Sequence, residues 1–448
     1  MALPKFPDGF LWGVSSSAYQ VEGAVDEDGR GPSTWDTFAA VPGKVLGGDT
    51  GRTATDHYHR YREDVGLMRE LGVGAYRFSV SWPRVVPDGR GAVNKAGLDF
   101  DDRLVDELCA NGIAPAVTLY HWDTPQQLED DGGWLNRDTA FRFADYATVV
   151  GEKLGDRVRL WMPLNEPMVV TLFGYALGIH APGRQLMFEA LPVAHHQLLG
   201  HGLATRALRA AGASDIGIAN HHVPAWPASD SPGDLSAAGL YDGLVNEMFA
   251  APILTGRYPT DELAGAMPGP VAEDLEVIAT PLDWYGVNYY APTRVAAPGS
   301  GSTAPVVDGA ALPEGLPFDF PAVEGYPATD FGWPVVPSGL RETLTTLVDR
   351  YGDRLPPIYI TEGGCSYHDE VHDQRRIEYL DGHLRALHEA VDAGIDVRGY
   401  FVWSIVDNFE WSVGYSQRFG LVHVDFDTQT RTPKDSFYWY RDLIRAQR

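Results

Sequence analysis

The chain has 448 residues, 44% hydrophobic and 21% charged, which is ample for a sizeable core. Its formal net charge of −26 argues against nucleic acid or an anionic membrane as a partner, since both recruit a basic face. Two cysteines, Cys109 and Cys365, provide neither a disulfide framework nor a tetrahedral metal site.

Phe10 to Ser15 reads as a first buried strand, running into Ser16, Ser17, Ala18, Tyr19 and Gln20. Tyr58, Tyr61, Val65, Met68 and Leu71 recur near helical period and predict a helix over 54–71, closed by Gly72. Val73 to Val80 is the second strand, with Arg77, Ser79 and Trp82 near its end. Leu98 to Ala110 is a helix stopped by Asn111-Gly112, with Cys109 expected in its apolar pattern. Ala114 to Tyr120 is the third strand and ends in His121-Trp122-Asp123. Asn136 caps a helix through Leu154, and Val158 to Met162 is the fourth strand. Pro163 and Pro167 bracket its end, where regular pairing is expected to stop.

A helical region follows over 186–211, then a fifth strand from Asp215 to His222 and a sixth from Asp283 to Tyr290. Residues 292–337 are rich in Pro, Gly and Ala and read as a functional loop or lid. Leu340 to Tyr351 is helical, and the seventh strand, from Pro357, ends in Thr361-Glu362-Gly363-Gly364. A helix over Asp373 to Ala393 and a strand over Val397 to Ser404 complete the series. Eight strand–helix alternations without a break in composition predict one closed (β/α)₈ barrel, a TIM barrel, over 1–448. The N-terminus has no apolar signal core, and Met168 to Ile179 is too short to span a bilayer, so a cytoplasmic protein is expected.

Barrels of this kind carry their sites at the C-terminal strand ends. The polar and aromatic residues that stand out are there: Gln20, Arg77, His121, Asn165, Glu166, Asn288, Tyr290, Glu362 and Trp403. Glu166 and Glu362 are both strand-end acids, far apart in sequence. Each alone reads as well as a solvated loop residue; together they are the minimal kit for glycoside hydrolysis, one protonating the leaving oxygen and the other attacking carbon or activating water. That chemistry needs no cofactor and no metal. Apolar surroundings would let Glu166 hold its proton, while Arg77 neutralises Glu362 and keeps it ionised. Tyr290 reads equally as a hydrogen-bond donor to Glu362 or as packing at the barrel lip. Amides, His121 and tryptophans suit the hydroxyls and apolar face of a sugar ring, and Glu410-Trp411 would be a poor choice for a core. His195, His196 and His201 share a predicted helix, but spacings of five and six do not put them on one face for a metal. His221 and His222 alternate across a strand and point to opposite faces.

An ordered set of motifs resembles family 1 glycoside hydrolases, the β-glucosidase family, over nearly the whole chain. It runs from Phe10-Leu11-Trp12-Gly13 and Gln20-Val21-Glu22-Gly23 through Arg77-Phe78-Ser79-Val80-Ser81-Trp82 and Tyr120-His121-Trp122-Asp123. It continues with Leu164-Asn165-Glu166-Pro167, Asn288-Tyr289-Tyr290, Ile360-Thr361-Glu362, Trp403-Ser404 through Trp411, and Arg418-Phe419-Gly420. The resemblance implies a retaining mechanism with Glu166 as acid/base and Glu362 as nucleophile, their carboxyls roughly 5–5.5 Å apart. It implies Gln20, His121, Asn165, Glu410 and Trp411 on the non-reducing sugar, Trp403 as its stacking floor, and Trp333 on the aglycone side. Glu410-Trp411 matches members that bind unphosphorylated sugars. The implied partners are small β-glycosides or short β-linked oligosaccharides. Two departures stand out: Gly363 where the family usually has Asn, expected to loosen the nucleophile loop, and Pro163 in place of the more usual Thr. The competing readings are a transglycosylase of the same mechanism, a non-catalytic sugar-binding barrel, and a metal-dependent barrel hydrolase.

Overall fold

Eight strands run parallel around one axis: β1 (Leu11–Ser15), β2 (Ala75–Ser79), β3 (Ala114–Tyr120), β4 (Leu160–Leu164), β5 (Ala219–His221), β6 (Tyr285–Asn288), β7 (Ile358–Gly363) and β8 (Val397–Trp403). In this computed structural model, residues 3–300, 306–307, 310–313, 315–369 and 371–448 are described. The strands pair in sequence order from β1 to β4 and from β5 to β8, and β1 joins β8. The parallel bridges Trp161–Ile216 and Asn165–Ala219 bring β5 against β4 and close the (β/α)₈ ring.

Helices cover the outside because their sequences carry one apolar stripe each. In His57–Leu71 the buried stripe includes Tyr58, Tyr61, Val65, Met68 and Leu71, the residues whose period predicted the helix. The predicted start at 54 is too early, since Ala54 and Asp56 have φ of 47° and 53° in the left-handed region, outside helical geometry. Cys109 is a second correction: it is exposed on the helix Lys95–Ala110, not in its buried stripe.

Inside the ring, Leu11, Ala75, Ala116, Met162, Trp284 and Phe401 belong to a separate apolar cluster. Residues two apart on a strand share a face. Arg77 therefore follows Ala75 into the barrel, one layer above this plug, and its Nε lies 3.3 Å from the Met162 sulfur. The plug needs Gly13 on β1, because a Cβ there would sit 2.3 Å from the Phe401 ring.

Pairing does not stop at Pro163, which lies inside β4. It falls between the two bridges that join β4 to β5 among the described residues, so its missing N–H interrupts a sparsely bonded seam. β5 and β6 are shorter than expected, and Tyr290 lies just beyond β6. Residues 223–282, given no element by sequence periodicity, carry the helices Pro232–Asp242, Met248–Thr255, Asp261–Ala266 and Val271–Ile278. The 292–337 stretch is tied down in part: Thr293–Val295 pairs in parallel with Ala225–Pro227, and Ala296 bridges Asp319. Among the described residues no helix is long and apolar enough to cross a membrane.

The substitution Gly13→Ala is expected to destabilise the barrel by about 1–3 kcal/mol, as overpacking does, because the buried Phe401 ring has nowhere to retreat. A double variant with Phe401→Leu recovers part of the loss. Urea-unfolding midpoints of the two variants check both expectations.

Candidate active site

Four strand ends deliver one hydrogen-bonded cluster. Arg77, fully buried, directs Nη1 at Glu362 Oε1 (2.5 Å) and Nη2 at Asn165 Oδ1 (2.5 Å). Asn288 donates from Nδ2 to Asn165 Oδ1 (3.0 Å) and to Glu166 Oε1 (2.8 Å), and its own Oδ1 accepts from Thr361 (2.6 Å). Tyr290 donates to Glu362 Oε2 (2.6 Å). Glu166 and Glu362 are thus joined through Arg77, Asn165 and Asn288, and both line one cavity. They are 5% and 3% exposed, so each meets that cavity with little of its surface.

The environments of the two acids differ. Glu362 receives a guanidinium and a phenol; Glu166 receives an amide and faces His221 Nδ1 at 3.2 Å. The Glu362 carboxyl is raised to about 7: burial raises it most, Arg77 lowers it, Glu166 raises it and the Tyr290 hydrogen bond lowers it. Arg77 acts in the expected direction, favouring the ionised carboxylate, while burial is the larger effect and acts against it. Burial, then the charge of Glu362, raises the Tyr290 phenol well above its ordinary value, so it remains a donor.

The network also fixes a tautomer. Asn165 Oδ1 accepts from Arg77 and Asn288, so its Nδ2 is the group facing His121 Nε2 at 3.2 Å. His121 Nε2 then accepts, and its proton sits on Nδ1. Burial, then Arg77, depresses the His121 imidazole well below its ordinary value, so it is neutral near pH 7. Its ring lies near-parallel to those of Trp403 and Trp411, with centroids 5.7 and 5.9 Å away. Gln20 accepts from Ser17 (2.6 Å) and donates to the Phe409 carbonyl (2.9 Å) and to Glu410 Oε2 (3.3 Å), which orients Glu410.

His121, Glu166, Tyr290, Trp333, Glu362, Trp403, Glu410, Trp411 and Phe419 line the cavity. Gln20, Arg77, Asn165 and Asn288, all fully buried, stand one layer behind and hold the others. Gln20 belongs to the short helix Ala18–Val21 and not to a strand end. Trp333 and Phe419 form the opposite rim, with ring centroids 5.9 Å apart and Trp333 5.2 Å from Tyr290. Sequence reasoning missed His221 as a partner of Glu166. The signal was available: His221 and His222 do point to opposite faces, with His222 on the Tyr285 hydroxyl (3.0 Å) and His221 turned to the site. The helix histidines are structural: His195 bonds Tyr258 (2.8 Å) and Asp274 (3.0 Å), and His196 bonds the Trp134 carbonyl (2.9 Å). Among the described residues no cluster of three or more His, Cys, Asp or Glu could hold a metal.

Gly363, beside Glu362, packs tightly. A Cβ at this position would lie 2.5 Å from the Tyr400 hydroxyl, which is buried and has no hydrogen-bond partner among the described residues. Tyr400 occupies the room that a side chain at 363 would need.

The family model for glycosyl hydrolase family 1 matches residues 3–448. The thermostable β-glucosidase B of Thermobispora bispora is 50% identical over 451 residues, covering 98% of this chain and 91% of its own length. The crystal structure of the psychrophilic β-glucosidase of Micrococcus antarcticus is 49% identical, with a TM-score of 0.94 over 99% of this chain and 98% of that one. The family 1 β-glucosidase of Thermotoga maritima, solved with isofagomine lactam, is 40% identical with a TM-score of 0.91, covering 99% of each chain.

Tyr400→Phe removes a buried, unpaired hydroxyl and is expected to leave stability unchanged or raise it slightly. Gly363→Ala destabilises the parent by about 1–3 kcal/mol and the Tyr400→Phe background by less. Thermal or urea unfolding of the four proteins in this cycle measures the coupling.

Proposed function

The chain belongs to glycosyl hydrolase family 1, and from that premise we propose that it is a retaining exo-β-glucosidase that removes the non-reducing terminal glucosyl residue from small β-glycosides. The observation that carries the assignment of roles is the pair of unlike environments at the barrel mouth. Glu362 accepts from both Arg77 and Tyr290, as an anionic nucleophile requires, whereas among the described residues the Glu166 carboxyl meets Asn288 and His221.

In the first step Glu362 forms a bond to the anomeric carbon as the glycosidic bond breaks, and Glu166 gives its proton to the departing oxygen. In the second, Glu166 takes a proton from water, which attacks the same carbon and releases Glu362. Two inversions give net retention. Negative charge returns to Glu362 in this second step, and the Arg77 and Tyr290 donors already aimed at it stabilise the departing carboxylate without reorganisation. His121, Glu410 and Trp411 offer polar edges to the sugar hydroxyls, with Gln20 and Asn165 holding them, and the Trp403 ring offers the sugar an apolar face. Two unpaired cysteines, Cys109 exposed and Cys365 buried, fit a reducing compartment such as the cytoplasm.

Glu362→Ala is expected to abolish turnover of an aryl β-glucoside; full activity in that variant refutes the assignment. Glu166→Ala should lower kcat/KM by about 10²–10⁴-fold on a glucoside whose leaving group needs protonation. The loss should be far smaller on a dinitrophenyl glucoside, whose leaving group departs as an anion. Equal losses on both substrates would remove Glu166 from the acid role.

The pH dependence has a defined sign. The Tyr290 phenol donates to the Glu362 carboxylate and so favours its ionised form; Tyr290→Phe removes that preference and raises the carboxyl further. The acid limb of kcat/KM, which reports ionisation in the free enzyme, is expected to move to higher pH in this variant. A limb that stays in place or moves to lower pH contradicts the contact.

A further inference from the structure

The cavity that ends on the two acids has a volume of about 720 Å³. Pockets of about 300–1,000 Å³ commonly bury entire drug-sized ligands. Away from Glu166, Glu362 and Glu410, Arg294 is the only charged group among its described lining residues, and its guanidinium donates to the Ala228 carbonyl (2.7 Å).

Most of the remaining wall is carbon, and its hydroxyls are already engaged within the protein: Thr171 donates to the Pro167 carbonyl (2.9 Å) and Tyr241 to Thr293 (3.4 Å). Leu172 and Phe173, on the helical turns after β4, line one part of it. Phe318 and Phe320, from the stretch after β6, line another, and they form a three-ring cluster with Tyr241, with centroids 5.3–5.5 Å apart. Trp333 and Phe419 lie where the carbon wall meets Tyr290 and the acids. Phe318 and Phe320 are half-buried side chains held in place by one another, so the wall is built and not an incidental exposed patch.

A second sugar placed beyond the scissile oxygen would bring several hydroxyls against this wall. Most of them would leave water for carbon, and the few polar side chains there are already bonded within the protein, which weakens binding. An apolar group in the same place loses only unfavourable hydration. We infer that the leaving group this enzyme is built to accept is a bulky apolar alcohol or phenol, and not a second sugar. The inference rests on the β-glucosidase reading and specifies the other half of its substrate. The reaction is unchanged: the apolar alcohol leaves with the proton of Glu166, and water supplies the new bond to the sugar.

The test compares kcat/KM of the full chain on methyl β-D-glucoside, octyl β-D-glucoside below its micellar concentration, cellobiose and cellotriose. The octyl glucoside is expected to exceed the methyl glucoside and both oligosaccharides by at least about tenfold, the scale on which an apolar pocket separates substrates. Phe173→Asn and Phe318→Asn should each reduce the octyl-to-methyl ratio. Cellobiose or cellotriose turned over as well as the octyl glucoside, or a ratio indifferent to both variants, overturns the inference. Failure of every glucoside to turn over would instead sink the β-glucosidase reading. Calorimetric binding of octyl thioglucoside against cellobiose then still decides the wall: tighter octyl binding upholds the apolar preference, and tighter cellobiose binding overturns it.

Discussion

One buried cation organises the mouth of this barrel. Arg77 is fully buried on β2, and two nearly buried carboxyls face the cavity above it. Isolated charges of this kind are expensive to take out of water, and removing one partner of a buried pair typically costs about 3–5 kcal/mol. The planar guanidinium is what lets a single residue hold two strand ends at once, one nitrogen on Glu362 of β7 and another on Asn165 just after β4. Lysine, a point charge on a flexible stem, has no equivalent geometry. The spacing of the two acids is therefore set by a rigid group rooted in the barrel wall.

From Asn165 the constraint passes outward. Its carbonyl is used by Arg77 and Asn288, which leaves its amide for His121 and so determines which imidazole nitrogen carries the proton. The His121 ring lies near-parallel to those of Trp403 and Trp411. Gln20 acts in parallel on Glu410. The residues that meet the cavity are each held by one that does not, and a chain of donors and acceptors with no freedom to flip is the physical form of a preorganised sugar site.

Much of this was legible in the sequence because barrel strands are short apolar runs with chemistry at one end. β3 was read with its observed bounds, Ala114–Tyr120, and the acids of β4 and β7 stood out as charges ending β-branched or aromatic runs. What escaped depends on three-dimensional context. His221 sits at the end of a strand of three residues, where alternation sets it and His222 on opposite faces without saying which of the two faces the axis. Pro163 reads as a terminator, and only the sparse β4–β5 seam explains why it is tolerated within a strand. Cys109 looks like core because cysteine is usually buried, yet its helix turns that position outward. Gly363 looked like a loosened loop; it is instead the space that the Tyr400 hydroxyl fills.

The positions that sequence rules mark as unfavourable also gather at the site. Trp122, Glu166 and Trp411 all adopt left-handed backbone, with φ of 76°, 42° and 51°. Such conformations cost a bulky residue on the order of 1–3 kcal/mol each and persist only where the surroundings over-determine them. At Glu166 the determinants are visible: its N–H is held by the Ala219 carbonyl (2.8 Å), and Pro167 begins a helical turn directly after it. The chain must pass from β4, which ends at Leu164, into the turn that starts at Pro167 within two residues, and the left-handed twist at Glu166 is how it does so with the acid turned into the cavity. A relaxed extended backbone there would continue β4 and carry the carboxyl away from Asn288. Local strain at the strand ends and the closed ring of hydrogen bonds beneath them are thus two parts of one arrangement: the ring is rigid enough to hold conformations that the isolated segments would not keep.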